Sequence, residues 1–330
     1  MAEETAYLVT GGAGFIGSHL ATTLVRAGHR VLTVDDLSTG SLDNIAHLRH
    51  EPRFSFVRGS VLDSVVMDRL ASQAQVIIHL AAAVGVQLII TQPVQTIETN
   101  IAGCEAVLKL GLRYGSRVLI ASSSEVYGKG LRVPFAEDDD VLLGPTSKSR
   151  WAYAASKMVD EFLGAAYHRE HGLEVVTCRF FNTVGPRQSG QYGMVIPRFV
   201  RQALANDPIT LFGNGMQQRC FCHVEDVVRA VLGLATSPGA VGRVWNIGSA
   251  EETTILALAE RVVALTGSAS PLSFIPYSEA YAPGFEDLMR RVPDLTKIRA
   301  LLGWEPQRSL DDILMDVIAY EGARSGRPPG

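Results

Sequence analysis

Thr10-Gly11-Gly12-Ala13-Gly14-Phe15-Ile16-Gly17 follows the apolar run Ala6–Val9 and opens the apolar-periodic stretch Ile16–Ala27. An apolar run, a turn with glycines spaced GxxGxxG at Gly11, Gly14 and Gly17, and a helix are the parts of a dinucleotide cradle. Glycine permits the tight turn and lets backbone N–H groups close on a pyrophosphate at the helix N-terminus. Phe15 and Ile16 fall inside that first helical turn. Asp35, in the pair Asp35-Asp36, stands 18 residues beyond Gly17, where the next strand ends. A carboxylate there accepts from the adenosine ribose hydroxyls and repels a 2′-phosphate, which selects NAD over NADP.

Outward from the turn, strand-like runs at Arg30–Val34, Phe54–Val57, Val76–Leu80, Val118–Ala121 and Val175–Arg179 alternate with helix-like stretches. The latter are Ser64–Ser72, Gln95–Tyr114 and Trp151–His171. Such alternation predicts an α/β Rossmann fold, a doubly wound parallel sheet with helices on both faces. Residues 1–180 are expected to form this NAD-binding domain, with a return segment near 217–247. Residues 181–330 are expected to form a smaller, mixed α/β substrate-binding domain over the crevice. There Ile196–Ala205, Ala257–Leu265 and Leu310–Tyr320 have helical spacing, while Phe181–Arg187, Ser189–Gly193 and Pro271–Pro293 read as turns and loop. The Gly-, Arg- and Pro-rich tail Gly322–Gly330 is expected to fray.

At 47% hydrophobic and 19% charged residues, the chain is built for a folded core. A formal net charge of −4 gives no reason to expect nucleic acid as a partner. The opening Met1-Ala2-Glu3-Glu4 is acidic where a secretion signal would be basic, and no apolar run is long enough for a bilayer. A cytoplasmic protein is expected. The cysteines Cys104, Cys178, Cys220 and Cys222 form no CxxC pair. Cys220 and Cys222, next to His223, would share one strand face; the reading adopted is buried thiols and no metal.

Tyr153 and Lys157 are four residues apart on the Trp151–His171 helix, so their side chains share one face. A free phenol, with a pKa near ~10, is a poor base at neutral pH. A nearby ammonium and a cationic nicotinamide both favour the phenolate, which can then deprotonate a hydroxyl as hydride leaves the same carbon. Ser122-Ser123-Ser124 ends the Val118–Ala121 strand, where the crevice of an open parallel sheet places chemistry. A hydroxyl there can bond the oxygen that Tyr153 serves.

With these motifs in order, the sequence resembles the extended short-chain dehydrogenase/reductases that modify nucleotide sugars. Beyond the glycine turn and Tyr153 to Lys157, the resemblance rests on His79-Leu80-Ala81-Ala82, Ser123-Ser124-Glu125-Val126-Tyr127-Gly128 and Asn182-Thr183-Val184-Gly185-Pro186-Arg187. It implies tightly held NAD, a UDP-sugar substrate, and a homodimer packed through helices near Gln95–Tyr114 and Trp151–His171. It also implies cofactor contacts at Ser60, Val61, Ala81, Ala82 and Asn100, and substrate contacts at Asn182, Arg187 and Arg219. Ser123 takes the Ser/Thr role beside Tyr153. Many members have Asp where this chain has Ser60, which can still hydrogen-bond.

These enzymes share C4 oxidation of the sugar and diverge afterwards. Ser124-Glu125 is similar to the decarboxylase version of its motif, whereas dehydratases require Asp at the Ser124 position. Arg290-Arg291-Val292-Pro293-Asp294 is also similar to decarboxylases of UDP-glucuronate, and Pro145–Trp151 shares their Arg-Trp. The resemblance implies Tyr153 as base, Lys157 as its electrostatic support, and Glu125 and Arg291, supported by Ser124, at the uronate carboxylate. The expected reaction is UDP-glucuronate to UDP-xylose, with some 4-keto-pentose released where return hydride is slow. A UDP-sugar 4-epimerase (glucose/galactose or glucuronate/galacturonate) is the alternative, and an NAD-binding sensor without turnover ranks below it.

Overall fold

The structure is a computed structural model that describes residues 4–83, 93–190, 194–276, 279 and 290–325. Its centre is a seven-stranded parallel sheet. The chain runs β1 (Ala6–Thr10), α1 (Phe15–Arg26), β2 (Arg30–Asp35), β3 (Phe54–Arg58), α2 (Ser64–Ala71), β4 (Val76–His79) and α3 (Pro93–Tyr114). It continues through β5 (Arg117–Ser123), α4 (Trp151–His171), β6 (Val175–Phe180), β7 (Thr183–Val184), α5 (Val195–Ala205), β8 (Ile209–Phe212), β9 (Gln218–Cys220), β10 (Cys222–His223) and α6 (Val224–Thr236). The remainder is β11 (Arg243–Ile247), β12 (Glu252–Thr254), α7 (Ile255–Thr266), β13 (Leu272–Ile275), α8 (Thr296–Leu302) and α9 (Leu310–Ser325).

The sheet order is β11-β6-β5-β4-β1-β2-β3, so the winding reverses between β1 and β4. That reversal opens a crevice above the C-terminal strand ends, between the glycine turn and the end of β4. Alternation along each strand sends neighbours to opposite faces. On β1, Tyr7 and Val9 join a core with Leu20 and Leu24 of α1 and Val227 and Val231 of α6. Leu8 joins the opposite core with Met67 of α2 and Cys104 and Val107 of α3. A third core unites Phe199 and Val200 of α5, Leu211 of β8, Leu258 of α7 and Leu314 of α9.

The segment read as a return to the first domain contributes β11, which pairs with β6, and α6, which packs on the sheet. Three readings need correction. Leu272–Ile275 inside the supposed Pro271–Pro293 loop is a strand, parallel to β8. Its apolar residues Leu272, Phe274 and Ile275 span only four positions, too few to stand out beside the prolines and tyrosines that follow. Residues 277–278 and 280–289 of that stretch lie outside the described residues. The tail is helical through Ser325, because α9 extends past Tyr320 with Gly322 still buried; residues 326–330 are outside the description. Cys220 and Cys222 do not share a strand: Cys220 pairs into β12 and Cys222 into β7, and the chain changes ladder at Phe221. All four thiols are buried.

Candidate active site

The crevice is a cavity of about 770 Å³ lined by each residue expected from the sequence to act in catalysis or to touch cofactor or substrate, apart from Asn100. At its sheet end the glycine turn is held by the Gly11 N–H, which donates to Val34 O at 2.8 Å. Gly11 has φ +71°, and a Cβ on Gly17 would stand 2.1 Å from the Gly11 carbonyl oxygen. The helix can therefore approach the turn only if residue 17 is glycine. Gly14, the N-cap of α1, gives no side-chain cap to the first-turn N–H groups, so they are left to an anion. Asp35, 8% exposed, accepts from Ala13 N at 3.0 Å and Leu37 N at 2.8 Å. A carboxylate has about four acceptor positions, which leaves room for ribose hydroxyls. These features fit a dinucleotide. Asn100 stands behind that surface: its Oδ1 accepts from Ala83 N at 2.8 Å and its Nδ2 donates to Ser156 Oγ at 3.2 Å. It braces α3 to α4.

Helix α4 carries Tyr153, Lys157 and Glu161 at successive four-residue steps on one face. Glu161 accepts two hydrogen bonds from buried Arg179 of β6, at 2.9 and 2.7 Å, and one from Ser122 Oγ of β5. This anchor fixes the helix against two strand ends and so sets Tyr153 on the same cavity as Ser123. Ser123 also caps the short turn Ser124–Tyr127, accepting from Glu125 N at 3.2 Å. Lys157, 2% exposed, pairs with Asp160 at 3.1 Å.

The expected drop in the Tyr153 pKa is not what the protein's own groups produce. Burial raises it, and that outweighs the opposing pull of Lys157 and of the nearby Ser123 hydroxyl, while Glu125 and Asp160 raise it further. Asp160 spends much of the ammonium's field. For Lys157 itself burial acts downward, but Asp160 and Tyr153 more than offset it and hold the amine above its ordinary value.

Across the cavity Glu125 meets Arg291 at 2.7 Å and Arg150 at 3.5 Å. Burial pushes the Glu125 carboxyl up, yet Arg291 and Arg150 together hold it below its ordinary value. Arg291, 6% exposed, also approaches Ser124 Oγ at 3.4 Å. Its backbone is clamped by the next residues: Phe135 N donates to Val292 O and Asp294 N to Phe135 O, both at 2.8 Å. Residues far apart in sequence thus meet on one wall of the cavity. Asn182 donates to Cys220 O at 2.7 Å beside Arg219 of β9. Arg187, at φ +70°, reaches back to Ser18 and Thr22 of α1 at 3.4 and 3.3 Å.

Sequence reasoning did not assign Arg150, Asp160, Phe212 or Gln217. Arg150 and Asp160 stand three residues from Tyr153 and Lys157, a helical spacing that could have flagged them. Phe212 and Gln217 line the cavity from the smaller unit without a motif to announce them.

A glycine-cradled Rossmann crevice with a Tyr–Lys dyad on its wall defines a class, the extended short-chain dehydrogenase/reductases. Within it, the model of the NAD dependent epimerase/dehydratase family matches residues 7–248, and the chain belongs to that family. Its cofactor is NAD. The chain is 41% identical to UDP-N-acetyl-alpha-D-glucosaminuronate decarboxylase of Bacillus cytotoxicus, over 95% of this chain and 96% of that one. It is 36% identical to UDP-glucuronic acid decarboxylase 1 of Danio rerio, over 95% and 72% of the two chains. Among solved structures, the UDP-glucuronic acid 4-epimerase of Bacillus cereus, in complex with UDP-glucuronic acid and NAD, superposes with a TM-score of 0.87 at 28% identity, over 97% and 99% of the two chains. The UDP-glucose 4-epimerase of Thermotoga maritima gives 0.87 at 31% identity, over the same shares.

Proposed function

We propose that the protein decarboxylates a UDP-hexuronate, with UDP-glucuronate giving UDP-xylose as the reaction. The observation that carries this reading is the Glu125–Arg291–Ser124 cluster on the cavity that also holds Tyr153, Lys157 and Ser123. An oxidation dyad alone serves any sugar alcohol. A half-buried carboxylate with arginines beside it serves one that bears an acid.

Gly11, Gly14, Phe15, Ile16, Gly17, Asp35, Ser60, Val61, Ala81 and Ala82 would hold NAD, which would supply the capacity to take up a hydride from C4 and return it. Tyr153 takes the O4 proton, with Ser123 holding the same oxygen. The C6 carboxylate is then β to a ketone. The C5–C6 bond breaks, its electron pair passes through C5 to the C4 oxygen as an enolate, and carbon dioxide leaves. Tyr153 and Ser123 stabilise that oxygen as charge develops. Glu125 and Arg291, with Ser124, orient the carboxylate and manage the proton delivered to C5. Asn182, Arg187 and Arg219 bind the uridine diphosphate portion.

Two further readings are ours. The protein acts as a cytoplasmic homodimer, joined through α3 and α4; no described helix is long and apolar enough to cross a membrane. Support for the dimer comes from Val94 and Ile97 of α3 and Phe162 of α4, which are 66%, 38% and 66% exposed. The 41% identical relative named for the 2-acetamido uronate favours that sugar as a second substrate to test.

Incubation with UDP-glucuronate, UDP-N-acetylglucosaminuronate, UDP-glucose and UDP-galacturonate, followed by NMR, separates the outcomes. Carbon dioxide and a pentose nucleotide from a uronate are expected, and Tyr153→Phe should abolish turnover while retaining NAD. C4 inversion with C6 retained would establish a 4-epimerase instead. Binding of NAD without conversion of any sugar would establish a sensor.

A further inference from the structure

Arg150 sits where helix energetics disfavour it. It is the N-cap of the 21-residue helix α4, makes no side-chain cap hydrogen bond, and no acid stands in the first turn. The positive end of the helix dipole repels a cation, and Ser, Thr, Asp or Asn is the stabilising choice there. The side chain is nevertheless only 11% exposed and turned to Glu125. Its neighbour Trp151 fixes it. Trp151 is 3% exposed, and a Cβ on Gly144 would stand 2.1 Å from the indole nitrogen, so the chain reserves space for that ring. The Arg150 guanidinium lies 5.3 Å from the Trp151 ring centroid. An arginine held at an unfavourable helix start, by a buried anchor, calls for a compensating function.

Charge supplies that function. Glu125 contacts Arg291 and Arg150 and feels Arg219 more weakly. Among the described residues, Glu125 is the carboxylate that contacts both guanidinium groups. Arg291 Nε is also buried without a hydrogen-bond partner among the described residues. A second carboxylate, brought by the substrate, would make the cluster two cations and two anions. We propose that Arg150 is the second cation for the sugar carboxylate, and that it sets the preference for a uronate over a neutral hexose or pentose. This rests on the uronate reading above. It adds that carboxylate recognition is shared by two arginines from different elements, one of them part of the helix that carries Tyr153.

The test uses the full chain with bound NAD in the Tyr153→Phe background, so that ligands bind without turnover. Dissociation constants for UDP-glucuronate and for the neutral UDP-glucose and UDP-xylose are measured by calorimetry, with Arg150, with Arg150→Gln and with Arg150→Lys. Loss of a charge-assisted contact should weaken UDP-glucuronate about tenfold or more in Arg150→Gln. The neutral nucleotides should change less than about twofold, and Arg150→Lys should recover part of the uronate preference. Equal weakening of all three ligands would make Arg150 a structural residue and overturn the proposal. So would unchanged uronate binding. Failure of the functional reading looks different: the protein with Tyr153 intact would release no carbon dioxide, whatever Arg150 does to binding.

Discussion

Asp160→Asn tests how the ammonium of the dyad is kept charged in the core. Lys157 Nζ stands 3.1 Å from Asp160 Oδ2, and the two side chains are 3% and 2% exposed. At an effective dielectric of ~20, unit charges at this separation attract by roughly 5 kcal/mol, against which both groups must be desolvated. Asparagine keeps the shape and one acceptor oxygen but removes the charge, so the ammonium is left buried and unbalanced. Breaking a buried pair from one side costs about 3–5 kcal/mol. In a chain of this length about 1 kcal/mol moves the melting midpoint by roughly 2 °C, so a fall of about 6–10 °C is expected at pH 7. The Lys157 pKa is raised in the folded protein, with Asp160 the largest raising cause. The stabilisation is therefore present below the ordinary lysine value of 10.5 and is lost as pH rises through the folded value. Calorimetry from pH 6 to pH 9 should show the gap between the parent and the variant narrow as pH rises, because the unbalanced ammonium of the variant is relieved by giving up its proton. Turnover should fall as well, because an unpaired, buried Lys157 gives up its proton more easily and ceases to support the Tyr153 phenolate. A variant that melts within about 1 °C of the parent at pH 7 would refute this view of the pair.

Gly17→Ala places a Cβ 2.1 Å from Gly11 O and 2.9 Å from Gly11 C, both backbone atoms that cannot turn aside. Overpacking of that kind costs about 1–3 kcal/mol and pushes the helix N-terminus away from the turn. NAD affinity, read by calorimetry, should drop about tenfold or more, and unchanged affinity would count against the cradle. Buried His79 is held down at about 3, chiefly by burial and also by Lys157. The unfolded chain therefore takes up a proton first, and stability falls as pH drops through 6.5. Between pH 6.5 and 4.5 this group should cost about 2–3 kcal/mol in urea unfolding, and His79→Asn should reduce the slope by that amount. Burial pushes the thiols of Cys104, Cys178 and Cys222 far up and Cys220 to about 12. Thiol reagents at pH 8 should modify none of the four until urea unfolds the chain; rapid labelling of the folded protein would show that the packing around them opens.

The central sheet was legible because each strand carries its own apolar run and the helices between them are long. Strand ends differed by a residue or two: the β4 reading to Leu80 stops at His79, and β5 reaches Ser123. The smaller unit was harder. Its ladders are two to four residues long, and pairing such as that of Leu272–Ile275 with Ile209–Phe212 depends on a partner about sixty residues away. Tyr153 and Lys157 announce themselves by helical spacing, and Glu125 and Arg291 came from motif resemblance. Arg150 was noticed only as part of an Arg-Trp resemblance and given no role, and Asp160 looks like an ordinary charged residue on a helix. Only packing shows that one is turned to the half-buried Glu125 and the other neutralises the lysine. The Tyr153 pKa is a second case. Spacing puts an ammonium near the phenol, but burial decides the sign, and burial is not written in a pair of residues.

The central claim is that one cavity oxidises C4, expels C6 as carbon dioxide and reduces C4 again. The most direct measurement is conversion of UDP-glucuronate carrying deuterium at C4, with the product examined by NMR. The account predicts UDP-xylose with the deuterium still at C4. The same reaction in heavy water should place one solvent deuteron at C5. A product that keeps C6 and carries the deuterium at an inverted C4 would contradict the account and make the protein a 4-epimerase.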